Sequence, residues 1–304
     1  MFKYNLKIAF RNLTKNKTSS LINIGGLTIG IAVALLIGLW VYDELSFNKN
    51  HKNYDRIGQV YIRGVDVKDG PFVSRSLPYP LATELIENYK ANFKHIVRYS
   101  WDQEYILSAN ETKTSGEGRF MDEGGPEMFS LSMLKGDWNG LKDPHSILLS
   151  ASTAKALFGN TDPMDQLVLI NNKMNVKVTG VYEDLPLNSE FTGIKFFSTW
   201  DLWVAENVWI SERAINNWTN HFLRIYAEIP KELSFETVNH HIADAELQKI
   251  KYIDKYKTHA QRNPKIYLHP MADWHLYPLN RETGQADTGP MRMVSLVRDR
   301  KSVV

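Results

Sequence analysis

The chain has 304 residues, a formal charge of +2 and no cysteine. Without cysteine there is no disulfide framework and no thiolate chemistry. A near-neutral charge, with no basic stripe beyond the N-terminal flank, argues against nucleic acid as a partner. Eight tryptophans and fourteen tyrosines suit a packed domain and not a disordered stalk.

Residues 1–20 come first. Phe2, Leu6, Phe10 and Leu13 recur at helical spacing, and Lys3, Lys7, Arg11 and Lys15 follow in steps of four. This pattern predicts a cytoplasmic amphipathic basic helix suited to an anionic membrane surface. The alternative is an orientation signal with no other role, and both readings keep the segment at the inner face.

Residues 21–42 read LINIGGLTIGIAVALLIGLWVY, without a charge. As an α-helix this run spans about 33 Å, against a hydrocarbon core of roughly 30 Å. A globular helix of that length carries a polar face, and this one has none. Its twelve Leu, Ile and Val residues supply about 5 kcal/mol towards insertion. Lys3, Lys7, Arg11, Lys15 and Lys17 precede the run, and Asp43 and Glu44 follow it. The positive-inside rule then puts the N-terminus in the cytoplasm and the rest across the membrane. The run is too long for a signal-peptide core, and no small-x-small cleavage site follows it, so a retained anchor is expected.

Gly26, Gly30, Ala34 and Gly38 fall four apart and line one face of this helix. Such a face lets another membrane helix approach closely. Its partners are expected in another chain or in a missing part of this one. Asp43, Glu44 and Arg56 lie just past the membrane exit, in the stalk that joins span to domain. They are read either as residues that transmit motion or as a simply solvated helix end.

Residues 43–280 read as an α+β domain, large, mixed and in two lobes. The predicted elements are a strand over 59–67, a helix over 78–89 with proline near its start, and strands over 96–101 and 105–108. A buried strand over 146–150 and a helix over 151–158, ended by Gly159, come next. A hairpin over 166–182 turns at Asn171-Asn172-Lys173. A strand over 222–229, one long helix over 235–256 and a strand over 266–269 complete the series. The remainder, 281–304, has no uncharged stretch longer than five residues and cannot cross a bilayer.

Signs of chemistry are few. His240, His241, His259, His269 and His275 lie in the last third, but no His-x-x-x-His or His-Glu-x-x-His spacing occurs, so no metal site is expected. Asp122-Glu123 and Glu183-Asp184 sit beside turn residues, where acids favour loops and caps. There is no nucleophile elbow and no P-loop, so no catalytic or cofactor-binding residue is assigned. Trp200, Trp203, Trp209 and Trp218 form either a partner-binding patch or core packing.

The order of motifs resembles a known family. AFRNLTKNK (9–17), the Gly-rich span and LWVYDELSFNKNHKNYDRI (39–57) look like the N-terminus of MacB/FtsX-type permeases of ABC exporters. LPYPLATEL (77–85), GRFMD (118–122), FSLSMLKGD (129–137), DPHSILLSASTAKALFG (143–159) and VTGVYEDLPLNSEF (178–191) resemble their periplasmic core domain, and ADWHLY (272–277) resembles its closing segment. The resemblance implies a permease subunit of the bacterial inner membrane, not an enzyme. It implies a second permease copy in a homodimer, a separate ABC ATPase subunit that holds the ATP, and a periplasmic or outer-membrane partner. ATP-driven helix motion would then move the periplasmic domain, to drive efflux or to activate that partner. Permeases of this kind have further spans after the core domain, so the tail is read as that of a truncated, frameshifted or partial chain. The alternative is a membrane-anchored periplasmic binding or sensor domain without an ATPase. An anchored hydrolase ranks behind both.

Overall fold

A computed structural model describes residues 17–66 and 70–279, together with Tyr4, Arg11, Lys15 and Lys68. Most of the expected 1–20 helix and the whole 281–304 tail lie outside the described residues. The chain divides into two compact units, one holding the residues through Ser46 and the other starting at Phe47.

The first unit carries helix α1 (Lys17–Ser46), which buries none of its residues. Leu21, Leu27, Ile29, Leu36 and Leu39 are each more than half exposed. Its thirty residues span about 45 Å, enough to cross a bilayer. No other helix among the described residues is long and apolar enough to do so. The Thr28 hydroxyl donates to the Ile24 carbonyl at 2.7 Å, so this polar group is satisfied within the helix, as hydrocarbon requires. The expected span stops at Tyr42, but the helix continues to Ser46, whose hydroxyl donates to the Asp43 carbonyl at 2.9 Å. Asp43 and Glu44 therefore belong to its last turn.

The second unit is built on a sheet. In chain order it opens with β1 (Ile57–Asp66), β2 (Gly70–Ser74), β3 (Leu77–Pro78), α2 (Tyr79–Asn88) and β4 (His95–Tyr99). Next come β5 (Gln103–Ala109), β6 (Thr112–Met121), α3 (Gly125–Met128), β7 (Met133–Lys135), β8 (Ser146–Ser150) and α4 (Ala151–Phe158). It continues with β9 (Leu167–Ile170), β10 (Met174–Tyr182), β11 (Phe196–Thr199), α5 (Trp200–Glu206) and β12 (His221–Glu228). It ends with α6 (Phe235–Ile242), α7 (Ala245–Ile250), α8 (Lys257–Gln261) and β13 (Lys265–Pro270).

The sheet runs β11-β8-β10-β9-β5-β6-β4-β12-β1-β13, and β11 also pairs with β6. That extra pairing closes six strands into a ring. The strands from β4 to β13 form an antiparallel arm, joined to the ring at Tyr99 opposite Met121. The two lobes expected from chain length thus take the form of two sections of one sheet. They share their cores: Val60 and Ile62 of the arm cluster with Tyr105, Leu107 and Phe196 of the ring. A second cluster gathers Tyr99, Phe129, Phe191, Tyr226 and Met271.

Local chemistry explains most elements. Strand β8 reads SILLS and is buried throughout. Ser150 ends it and accepts from the Thr153 amide, capping α4, and Gly159 closes α4 at φ +60°. At the β9–β10 turn Asn171 and Asn172 both take left-handed backbone, as asparagine tolerates. Some elements differ from the expected series. Strands β2, β3, β6, β7 and β11 are additional to it. The long helix over 235–256 is broken into α6 and α7, followed by a separate α8. The break falls at Ala243-Asp244, where the Ala243 carbonyl accepts from the Ile266 amide at 2.9 Å and the Asp244 carboxylate pairs with Lys265. Docking onto β13 thus competes with helix continuation. The tryptophans resolve as packing: Trp200 and Trp203 are buried in the larger cluster, and Trp209 and Trp218 pack against it.

Candidate functional site

The residues that follow α1 are tied closely to the second unit. Between Gly38 and Gly58 the sequence holds no glycine and no proline, so neither of the usual backbone-softening residues falls at the join. Each residue from Phe47 to Arg56 that turns inward finds a fixed partner in the second unit. The Phe47 ring stacks on His275 at 4.0 Å and 9°. Asn48 is fully buried with left-handed backbone. Its amide donates to the Asn188 carbonyl at 2.8 Å, and its Oδ1 accepts from the Glu190 amide at 2.9 Å.

His51 is buried against Phe129 and Phe191. Its Nδ1 lies 2.6 Å from the Phe129 carbonyl. A carbonyl only accepts, so Nδ1 carries the proton, and Nε2 is left to accept from Asn50 Nδ2 at 3.4 Å. Asn53 donates to the buried Glu228 carboxylate at 3.0 Å, which also pairs with Lys94 at 3.2 Å. Arg56 donates from Nη2 to the Leu233 carbonyl at 2.8 Å and to the Pro230 carbonyl, and from Nε to the Ile229 carbonyl at 3.4 Å. One guanidinium thus holds the turn after β12.

Of the sequence-predicted residues, Asp43 and Glu44 belong to α1 while Arg56 belongs to the domain. Added Cβ atoms at Gly26, Gly30 and Gly38 would meet nothing within 4 Å, and Ala34 is likewise exposed. Sequence reasoning missed His51 and Asn48 as anchors, because isolated buried polar residues leave no periodic signal.

A second feature is a cleft of about 630 Å³ whose lining includes Tyr61, Trp101, Phe222 and Trp274. It shares Arg75, Glu190 and Arg224 with an adjoining cavity of about 180 Å³. Its charges are matched: Arg224 binds Asp102 at 2.9 Å, Arg119 reaches Asp102 at 2.9 Å and Glu117 at 2.8 Å, and Arg75 pairs with Glu190 at 3.6 Å. Burial pushes the Asp102 carboxyl up, but the Arg224 hydrogen bond and the neighbouring arginine charges outweigh it and hold it below the usual range. Burial pushes the Glu190 carboxyl up. The described lining of the cleft offers polar and aromatic contacts.

Burial lowers the pKa of His51, against the opposing pull of the Phe129 carbonyl. Burial brings His269, on β13, from 6.5 down to about 4. Both rings are therefore neutral in the folded domain at pH 7. The folded pKa lies below the unfolded one, so this stability is complete above about pH 6.5 and is lost as pH falls towards 4. Urea unfolding at pH 4.5 should show His269 alone costing roughly 2 kcal/mol relative to pH 7. A His269→Gln chain should lose that step, and an unchanged pH dependence would contradict the assignment.

The model of the MacB-like periplasmic core domain matches residues 20–245. A solved domain described as that of a permease protein from Porphyromonas gingivalis is 18% identical with a TM-score of 0.57, covering 81% of this chain and 98% of that one. The periplasmic region of MacB from Actinobacillus actinomycetemcomitans is 14% identical, with a TM-score of 0.46 over 69% of this chain and 88% of that one. The extracellular domain of the noncanonic ABC-type transporter YknZ from Gram-positive bacteria is 13% identical, with a TM-score of 0.47 over 69% and 98%. No curated protein matches the chain. The first of these structures supports the fold, and the family match spans well over half of the sequence. With its N-terminal apolar helix and its sheet-rich domain, the chain belongs to the MacB-like periplasmic core domain family and has the makeup of a transporter permease component.

Proposed function

We propose that this chain is the permease subunit of an ABC exporter or mechanotransmission system. Its N-terminus lies on the cytoplasmic side of the bacterial inner membrane and its domain lies in the periplasm. ATP is bound by a separate ABC ATPase subunit, and the chain itself performs no catalysis. A second permease copy completes a homodimer, with the Gly26, Gly30, Ala34 and Gly38 face available for helix packing. The domain then passes on helix motion to expel a substrate or to activate a periplasmic or outer-membrane partner.

One observation carries this reading. The stretch from Phe47 to Arg56 is held to the domain by buried and half-buried hydrogen bonds, which is what a lever needs at its load end. The stacking of Phe47 on His275 also sets the entry of the domain beside its last described elements. A helix on either side would act on the same base.

The test uses the absence of cysteine. A single Asp43→Cys, labelled in the full-length permease co-expressed with its ATPase, should report a change in accessibility when ATP is trapped on the ATPase. Failure of any ATPase to co-purify, with a label indifferent to ATP, would refute the proposal. The second reading, a membrane-anchored binding or sensor domain, is favoured by the aromatic and charged cleft. It predicts a small ligand bound there in the absence of any ATPase.

A further inference from the structure

We propose that His221, Glu246 and His259 form a binding site for a divalent transition-metal ion of the zinc class. They come from three elements, the first residue of β12, α7 and α8. One ligand atom from each lies within 4.8 Å of the others. No spacing motif links them, and the docking of the 243–262 segment onto the sheet is what brings them together.

The donor set explains an otherwise expensive arrangement. Glu246 is completely buried. Its Oε1 accepts from His259 Nε2 at 2.6 Å, but its Oε2 has no partner. A buried carboxylate oxygen without a donor is costly, and a cation would supply what it lacks. His221 is already oriented, since its Nδ1 donates to the Ser76 carbonyl at 3.0 Å. Carbonyl contacts of this kind commonly orient metal-ligating imidazoles. With Nδ1 protonated, Nε2 is the nitrogen left to coordinate. On binding, the His259 ring stays neutral by carrying its single proton on Nδ1, which frees Nε2 for the metal, and Glu246 coordinates in place of its hydrogen bond.

Two imidazoles and one carboxylate suit zinc and its neighbours. Calcium and magnesium want more oxygen ligands. Tetrahedral ligands about 2.1 Å from zinc stand about 3.4 Å apart, so the His259–Glu246 pair opens from 2.6 Å and the wider gaps, all within 4.8 Å, close towards that spacing. A fourth ligand has room, because an adjoining cavity of about 440 Å³ is lined by His221, His259, Thr219 and Thr258. Lys255 and Arg262 line it too. The Arg262 charge is offset by Asp66 at 2.8 Å, and Lys255 lies over the Tyr256 ring at 5.2 Å. A bound ion would clasp α7 and α8 to the start of β12.

The test uses the full chain, untagged and in detergent, stripped with chelator and then dialysed against Zn²⁺. Elemental analysis should find about one zinc per chain, and His221→Ala and His259→Ala should each reduce it to about a tenth or less. The exposed His145 serves as control, and His145→Ala should keep the ion. Zinc retained by the His221→Ala/His259→Ala double variant would overturn the site. So would wild-type chain that takes up no more than about a tenth of an equivalent. Should the alanine variants fail to fold, the Co²⁺-loaded wild-type chain decides. Intense visible bands of four-coordinate cobalt with imidazole-shifted ring resonances support the site, and a pale six-coordinate spectrum refutes it.

Discussion

On the proposed function, inserting Gly-Ser-Gly-Ser between Ser46 and Phe47 should abolish ATP-driven transport or partner activation while leaving membrane insertion and the domain fold intact. The reason is mechanical. As it stands, α1 runs to Ser46 and the next residue is already stacked on His275. Asn48 and His51 are buried within the following turn. Four flexible residues turn this short connection into a random coil with an end-to-end spread of roughly 10–12 Å. Helix displacements of a few ångströms then disappear into the linker. Because the insert lies outside the hydrogen bonds of Asn48, His51 and Arg56, the unfolding midpoint of the domain should stay put. Transport at the wild-type rate in the inserted permease would show that force does not pass through this join. Inserting Ala-Ala-Ala-Ala instead extends a helical path and should retain part of the activity.

Helix α1 was legible because hydrocarbon imposes a simple rule: a long uncharged run. Strand β8, α4 and the β9–β10 turn were legible because SILLS, Ser150, Gly159 and Asn171-Asn172 carry their own local chemistry. Strand β6 was missed because TKTSGEGRFM is polar and glycine-bearing in its first half, where it is mostly exposed, and only its last four residues are buried. It becomes a strand through tertiary pairing, with β5 over residues 112–118 and with β11 over 118–121. The break between α6 and α7 was hidden for a similar reason, since it depends on an amide from β13. His221, Glu246 and His259 stand 25 and 13 residues apart, so only the fold assembles them. Arg56 stands near the membrane exit in the sequence, and the structure gives it a concrete task, holding the turn after β12.

That task makes Arg56→Ala the most informative single substitution in the domain. The guanidinium serves the carbonyls of Ile229, Pro230 and Leu233, and Ile229 is buried. A hydrogen bond to a charged donor is worth about 1.5–3 kcal/mol when buried, but Arg56 is half-exposed and water can replace part of the set. The expected loss is therefore about 2 kcal/mol, or a fall of roughly 4–8 °C in Tm for a domain of this size. Arg56→Lys should recover less than half, because an ammonium cannot span three carbonyls with the geometry of a planar fork. Asp43→Asn is the contrast. The Asp43 side chain is exposed, so its stability should change by less than about 0.5 kcal/mol. Thermal unfolding and transport measured on the same two variants separate stability from transmission. A transmitting Asp43 alters transport at constant Tm, whereas an Arg56 that only holds the fold loses transport in proportion to Tm. Loss of transport in Arg56→Lys at a nearly wild-type Tm would instead place Arg56 itself in the force path, where the turn after β12 meets the base of the domain.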